Sequence, residues 1–202
     1  MQKIISLFKR NYDGDRLVRD EVVEGAEWVI AGEGVATRKF DGTCCQVLDG
    51  ALYKRYDLKR GKKAPAGFAA SQDPDPVTGA QPGWVPVGEG PEDTHHREGL
   101  RVAEHRAGCS LPNGTYELIG PKAGGGNHDG ANPEHYPHHD LIRHGAELLS
   151  MLGVPRTFEA LRDYLADRDI EGIVFHHPDG RMVKVKSKDF GLKRKSLAES
   201  PT

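Results

Sequence analysis

The sequence contains few cysteines and no long apolar run, and its net charge is close to zero. Its three cysteines include an adjacent pair, Cys44 and Cys45, which is a poor basis for a disulfide framework and indicates a reducing compartment. No segment approaches the run of about 20 apolar residues that spans a membrane, and the N-terminal segment lacks the small-residue cleavage site of a secretory signal. We therefore expect a cytoplasmic protein without a membrane partner, in which the adjacent cysteines serve packing.

The formal net charge of −2 gives no overall attraction to nucleic acid, but the positive charges are clustered. Residues 54–63 contain six Lys/Arg against one Asp, and residues 181–195 contain seven against one. One such run is typical of a solvated surface, whereas two runs can line one groove for a polyanion. Charge alone leaves both interpretations open.

The apolar patterns predict an α+β fold with antiparallel sheets flanked by helices. Asp49-Gly50 after the β-rich residues 27–48 predicts a hairpin. We also predict a strand in 113–120, helices over 140–152 and 158–167 with Thr157 as N-cap of the second, and a hairpin in 172–187 around a Pro-Asp-Gly turn. The Pro- and Gly-rich residues 61–99 predict a long loop or insertion. We expect one domain over residues 1–202 and a monomer.

The segment Lys39-Phe40-Asp41-Gly42 is the first candidate for chemistry. On a strand, Lys39 and Asp41 share a face, and Gly42 lets a backbone pass close to a ligand. A lysine acts as a nucleophile when its neighbours favour the neutral amine. The pattern is short and recurs by chance, so an ordinary exposed strand end is an equal alternative for this segment alone.

More distant residues complete a set suited to nucleotidyl transfer. Arg55 follows the first hairpin turn, Glu117 lies in the strand TYELIG, and Glu171 opens EGIVF. In KVK, Lys184 and Lys186 share one strand face. Such chemistry depends mainly on positioning and charge neutralisation, and this set supplies a lysine, carboxylates and cations.

These segments, in this order, resemble the covalent nucleotidyltransferase superfamily of ATP-dependent DNA ligases, RNA ligases and mRNA capping enzymes. The matching segments are KFDG at 39–42, YKR at 53–55, YELIG at 116–120, EGIVF at 171–175 and KVK at 184–186. KFDGTCC, DPDPVTG with PGWVPV, ELIGPK and LIRHG further resemble a family of small RNA ligases that join 5′-phosphate to 3′-hydroxyl ends. The resemblance implies a nucleotidyltransferase (adenylation) domain.

The resemblance also implies a role for each matching residue. Lys39 attacks the α-phosphate of ATP and holds AMP, and AMP then passes to an RNA 5′-phosphate before a 3′-hydroxyl displaces it. Glu171 binds or orients Mg²⁺, for which Mn²⁺ is the alternative. The other implied roles are nucleotide binding by Arg38, shaping of the nucleophile motif by Asp41 and Gly42, ribose or nucleic-acid binding by Arg55, ribose binding by Glu117 and phosphate binding by Lys184 and Lys186.

The length of the segment after Lys186 bears on which class of nucleotidyltransferase is expected. DNA ligases and capping enzymes normally carry an OB-fold there, and residues 187–202 are too few for a barrel that needs at least roughly 40 residues. We therefore expect no C-terminal OB-fold and an RNA substrate. Two alternatives stay open: a nucleotidyltransferase that modifies itself or another acceptor, and a nucleotide- or RNA-binding module without sealing activity.

Histidines are concentrated in one segment of the chain. His128, His135, His138, His139 and His144 lie between residues 128 and 144. None of the recognised zinc-ligand spacings is present, so these residues are predicted to be polar loop residues near RNA or the triphosphate. His176 and His177 flank the second hairpin and are predicted at the surface.

Overall fold

A computed structural model describes residues 4–121, 123, 138–149 and 153–193 of the chain. The described residues contain twelve strands and three α-helices. The strands are β1 Ile5–Ser6, β2 Phe8–Arg10, β3 Val18–Val22, β4 Val35–Lys39, β5 Thr43–Leu48, β6 Ala51–Leu58, β7 Ala69–Ala70, β8 Gln81–Pro86, β9 Gly114–Ile119, β10 Asp140–Arg143, β11 Gly172–His176 and β12 Met182–Lys186. The helices are α1 Glu27–Ile30, α2 Thr94–Ala107 and α3 Phe158–Ala166. This composition confirms the α+β class; the assignment to an adenylation domain stays a prediction.

The chain divides into two compact units, with a boundary inside the KFDG segment. The four-stranded unit holds residues 4–40 and the described residues from 145 onwards, and the six-stranded unit holds the described residues of 41–144. The expectation of a single domain over 1–202 stays a prediction.

The four-stranded unit is built on the sheet β1-β12-β11-β4, with a separate β2–β3 pair beside it in the same unit. The β12–β11 and β11–β4 pairs are antiparallel, as predicted, whereas β1 pairs with β12 in parallel. One sheet face is apolar and buried, and its members are Ala36, Ile173, Phe175, Val183 and Val185. These residues pack in one core with Leu161 and Leu165 of α3, because side chains alternate along strands and recur every three to four residues on helices.

The six-stranded unit is built on the sheet β10-β9-β5-β6-β8-β7, in which every pair is antiparallel. Its core includes Cys45, Val47, Tyr116 and Leu118. Cys45 is fully buried and all three cysteines are free thiols, as predicted. Burial raises the pKa of the Cys45 thiol well above its usual value, which suits a packing role.

Both predicted hairpins are confirmed. Asp49 and Gly50 have φ values of 51° and 78° between β5 and β6, as a tight turn with two left-handed residues requires. β11 and β12 form the second hairpin, and the strand predicted in 113–120 is β9. Helix α3 is confirmed, and Thr157 occupies its N-cap position without a capping hydrogen bond from its side chain.

The helix predicted over 140–152 is wrong across its described residues. Residues 140–143 form β10, which pairs with β9, and Leu148 forms an isolated bridge with Thr37. Leu141 belongs to the core of the six-stranded unit and Leu149 to that of the four-stranded unit. The helical spacing of these leucines therefore arises by chance, because they belong to two separate segments that do not form a helix. Residues 150–152 lie outside the described part of the chain.

Regular structure interrupts the loop predicted at 61–99. Residues 81–86 form β8, where Trp84 is buried, and α2 begins at Thr94. Sequence patterns missed α2 because only Gly99 and Ala103 are buried in it. A glycine inside a helix usually weakens it, but a Cβ on Gly99 would lie 2.5 Å from a side-chain carbon of Leu118, so glycine allows the close packing seen there.

In the described residues, no helix combines the length and apolarity needed to cross a membrane.

Candidate active site

Lys39 and Lys186 lie in one row of the four-stranded sheet, with a glycine between them. Gly172 pairs with Lys39 on one side and with Lys186 on the other. A Cβ on Gly172 would lie 2.2 Å from the carbonyl oxygen of Val185. Only glycine fits this position, because an added Cβ would collide with the backbone of the neighbouring strand.

Glu171 pairs with both lysines of this row. Its Oε2 atom lies 2.5 Å from Lys39 Nζ, and its Oε1 atom lies 3.7 Å from Lys186 Nζ. Lys39 Nζ also donates a hydrogen bond to the carbonyl oxygen of Phe40 at 3.2 Å. The three side chains are only 12–21% exposed, so the charges interact more strongly than on an open surface. This arrangement holds Lys39 beside a carboxylate at the end of β4.

Lys184 occupies the next row of the same face, opposite Val174. Burial, together with the positive charges of Lys186 and Lys39, lowers the pKa of Lys184 to about 8. Burial also lowers the pKa of Lys186, although the Glu171 carboxylate opposes that shift. Three lysines and one carboxylate leave an excess of positive charge on this face, which suits an anionic ligand such as a polyphosphate.

Thr37 lies in the same row as Lys184, and His176 extends this polar face by one further row. Thr37 Oγ1 lies 2.9 Å from His176 Nε2 and donates to the carbonyl oxygen of Val174 at 3.2 Å. His176 is half-buried at the end of β11, so the prediction of an ordinary surface histidine was wrong for it. Strand alternation placed His176 on the face of Lys184, and that signal was overlooked.

Arg38 lies next to Lys39 in the chain but has different contacts. Its guanidinium lies 3.5 Å from Glu147 Oε2 and 5.0 Å from the centre of the Phe40 ring. Consecutive strand residues point to opposite faces, which accounts for the separation from the Lys39–Glu171 pair. Nucleotide binding by Arg38 stays a prediction.

In the six-stranded unit, Glu117 is the buried carboxylate of β9. It is 7% exposed, and its Oε2 atom lies 2.8 Å from His144 Nε2. Cys44 pairs with Glu117 in the β5–β9 ladder. A Cβ on Gly42 would lie 2.0 Å from the carbonyl oxygen of Leu118 and 2.9 Å from Glu117 Cγ. The KFDG glycine therefore allows the chain to pass against the strand that carries Glu117.

His144 is a functional candidate whose partner sequence reasoning did not identify. It lies in the turn after β10, consistent with the predicted polar loop residue, and its ring contacts the Glu117 carboxylate. His139 also lies outside the strands and helices, but it is 4% exposed. No local signal in LIRHG indicated this contact of His144, because the strand that precedes His144 is formed by pairing with the distant β9. His128 and His135 lie outside the described residues.

Arg55 and Asp41 complete the predicted residues of this unit. Arg55 pairs with Trp84 across β6 and β8, and its guanidinium lies 5.4 Å from the centre of the Trp84 ring. Its Nε atom lies 3.4 Å from Asp57 Oδ1. Asp41 is half-buried at the start of the unit. The roles predicted for both residues stay predictions.

The residues around Glu171 do not form a magnesium site on their own. Each of its carboxylate oxygens faces a lysine ammonium group. In the described part of the chain, two clusters contain three or more potential metal ligands, and neither includes Glu171. Mg²⁺ commonly binds through one or two carboxylates together with substrate phosphates, so protein ligands alone do not account for the ion predicted here.

Comparison with known proteins places this geometry in context. No protein-family model matches the sequence. The chain is 29% identical over 220 residues to RNA ligase 1 of Rattus norvegicus and, equally, to RNA ligase 1 of Mus musculus. Each alignment covers 78% of this chain and 67% of the mammalian protein. The chain is therefore a distant homologue of the mammalian proteins named RNA ligase 1.

Proposed function

We propose that the chain is an ATP-dependent RNA ligase that joins 5′-phosphate and 3′-hydroxyl ends through AMP bound to Lys39. The observation that supports this proposal most is the pairing of Lys39 and Lys186 with Glu171, in the strand row where Gly172 lies between the two lysines. Homology to RNA ligase 1 is consistent with it. Under this proposal the chain has an adenylation-domain fold.

The first chemical step uses the described lysines. Lys39 Nζ forms a bond to the α-phosphorus of ATP, and the bond between that phosphorus and the pyrophosphate oxygen breaks. The lysine must first lose a proton, and the Glu171 carboxylate at 2.5 Å is placed to accept it. Lys184 and Lys186 neutralise the charge that develops on the phosphate oxygens.

The second and third steps transfer AMP. The RNA 5′-phosphate attacks the phosphorus of lysyl-AMP, which frees Lys39 and leaves AMP joined to the RNA end. The RNA 3′-hydroxyl then attacks the 5′-phosphorus, and AMP leaves as the strand is sealed. Mg²⁺, or Mn²⁺ in its place, would arrive with the triphosphate and supply further neutralisation of phosphate charge.

The six-stranded unit carries the other predicted ligand-binding residues. Glu117 is proposed to bind ribose hydroxyls, and the His144 hydrogen bond at 2.8 Å would fix its carboxylate. Gly42 and Asp41 are proposed to shape the nucleophile motif. Arg55, with its guanidinium against Trp84, is proposed to contact ribose or the nucleic-acid end.

Covalent labelling tests the first step. The chain is incubated with Mg²⁺ and ATP labelled at the α-phosphate, and we expect a labelled protein that is stable to denaturation. Lys39→Ala should abolish the label. Lys9→Ala is the matched control, because Lys9 is an exposed lysine paired with Glu21 in the same unit, and it should keep the label. A label that survives Lys39→Ala would contradict the assignment of the nucleophile.

A second assay identifies the acceptor. Nicked and open RNA with a 5′-phosphate and a 3′-hydroxyl are compared with DNA of the same sequence. We expect sealing of RNA and transient AMP–RNA. A labelled protein that seals neither would support a nucleotidyltransferase with another acceptor, and an unlabelled protein that binds ATP or RNA would support a binding module.

A further inference from the structure

A second cluster of potential metal ligands lies in the six-stranded unit, among residues that the ligase chemistry does not use. His95 and Glu98 lie in the first turns of α2, three residues apart and therefore on one helix face. His139 directly precedes β10. One ligand atom from each residue lies within 4.8 Å of the other two. Two imidazoles and a carboxylate thus converge from two elements of the fold.

The contacts within this cluster are close. His139 Nδ1 lies 2.8 Å from Glu98 Oε2. The rings of His95 and His139 stack with their centres 4.1 Å apart and their planes 22° apart. Glu98 and His139 are 41 residues apart in the chain, which explains why no zinc-ligand spacing is visible in the sequence.

The backbone holds the two elements together independently of any ligand. Gly99 follows Glu98 and lies against β9 and β10, since its added Cβ would be 2.5 Å from Leu118 and 3.4 Å from the Asp140 backbone. Toward the other end of α2, Arg106 Nη2 lies 3.0 Å from Asp140 Oδ1. The two elements that carry the cluster are therefore held together by contacts outside it, which reduces the entropic cost of binding an ion.

His139 is the most buried member of the cluster. Its side chain is only 5% exposed, and its buried Nε2 atom has no hydrogen-bond partner within the described residues. His139 Nδ1 and Glu98 Oε2 lie 2.8 Å apart, close enough for both atoms to bind one ion in place of the hydrogen bond between them. His139 would then coordinate through Nδ1 and carry its ring proton on Nε2.

We propose that His95, Glu98 and His139 bind a divalent transition-metal ion of the Zn²⁺ class and thereby link α2 to the start of β10. Imidazole nitrogen with one carboxylate favours Zn²⁺, Co²⁺ or Ni²⁺, whereas Mg²⁺ and Ca²⁺ prefer sites made of oxygen ligands. Three protein ligands leave at least one position for water. This proposal uses none of the residues of the proposed chemistry at Lys39 and does not depend on it.

Titration with Co²⁺ tests this proposal by optical absorption. The full chain, without a histidine tag and freed of metal by a chelator, is titrated with Co²⁺ and then with competing Zn²⁺. We expect visible absorption bands that saturate at about one ion per chain, with Zn²⁺ but not Mg²⁺ reversing them. Zn²⁺ should also raise the melting temperature of the wild-type chain.

Two variants locate the ion. Glu98→Gln preserves the shape of a partly exposed side chain, and His95→Gln removes one imidazole; each should weaken Co²⁺ binding by about tenfold or more. His105→Gln is the matched control, because His105 is an exposed histidine on the same helix, and it should bind like the wild type. Circular dichroism verifies that each variant is folded.

Two results would overturn the proposal. One is the absence of saturable Co²⁺ binding to the wild-type chain. The other is unchanged binding by folded Glu98→Gln, which would place the bound ion on other histidines of the chain.

Discussion

Replacing Lys184 with methionine should stabilise the protein while it removes activity. Lys184 is half-buried on the polar face of the four-stranded sheet, beside the charges of Lys186 and Lys39. Its pKa falls from 10.5 to about 8, chiefly because burial disfavours the charged form. The folded state therefore carries a cost whenever Lys184 is protonated, and a neutral side chain of similar length avoids it.

The size and pH dependence of this effect follow from proton linkage. Between pH 8 and 10.5 the unfolded chain holds the Lys184 proton more tightly than the folded chain, so the free energy of unfolding rises with pH in this window. Below pH 8 the full cost is present, and the shift corresponds to roughly 3 kcal/mol as an upper limit. Partial solvent screening reduces this value, and we expect Lys184→Met to raise the free energy of unfolding at pH 7 by about 1–2 kcal/mol.

Urea denaturation at pH 7 and at pH 10 measures this difference. The gain from Lys184→Met should shrink towards zero at the higher pH, where wild-type Lys184 is neutral in the folded state. Lys9→Met, at an exposed lysine, controls for general effects of alkaline pH. Lys184→Arg keeps the charge and should give no stabilisation. A variant that is less stable than the wild type at pH 7, or a gain independent of pH, would refute this reasoning.

Three further predictions concern single contacts. Gly172→Ala should lower the free energy of unfolding by about 1–3 kcal/mol, because the added methyl group collides with the neighbouring strand; a urea midpoint equal to that of the wild type would disprove the close approach. His144→Ala should raise the KM for ATP about tenfold with a smaller change in kcat, since the Glu117 carboxylate loses its hydrogen-bond partner. Steady-state labelling kinetics measure both constants, and an unchanged KM would show that His144 has no role in nucleotide binding. The hydrogen bond that His177 donates to the Glu33 carboxylate raises the pKa of His177 above 6.5. This pair therefore stabilises the fold below about pH 6.5 and loses its effect as pH rises through the higher folded value. Glu33→Gln should therefore lower the melting temperature at pH 6 but not at pH 9, and an equal loss at both would contradict that assignment.

Local patterns were sufficient to predict several elements of the fold. Asp49 and Gly50 determine the first hairpin because both adopt the left-handed conformation that its turn needs. The alternation in KVK determines that Lys184 and Lys186 share a face while Val183 and Val185 enter the core. The stripe of Leu161 and Leu165 determines α3. Each of these features depends on residues that are close in the chain.

The same local reasoning failed where distant segments meet. Leucines at helical spacing after residue 140 belong to a strand and a bridge in two different units. Helix α2 has little apolar periodicity, since only Gly99 and Ala103 are buried in it. Its backbone packs closely against β9 and β10 at Gly99, so a broad stripe of large apolar side chains is not needed. Neither local pattern reveals the long-range contacts that determine the structure of its segment.

The candidate site divides in the same way. The sequence by itself determined which residue types are available: a lysine in KFDG, acidic residues in YELIG and EGIVF, and paired cations in KVK. Only the tertiary structure decided that Glu171 faces Lys39 and Lys186, that His144 holds Glu117, and that His139 meets Glu98. The physical reason is that strand pairing and close backbone approach bring together side chains from distant segments, and these contacts set the charge and geometry that chemistry requires.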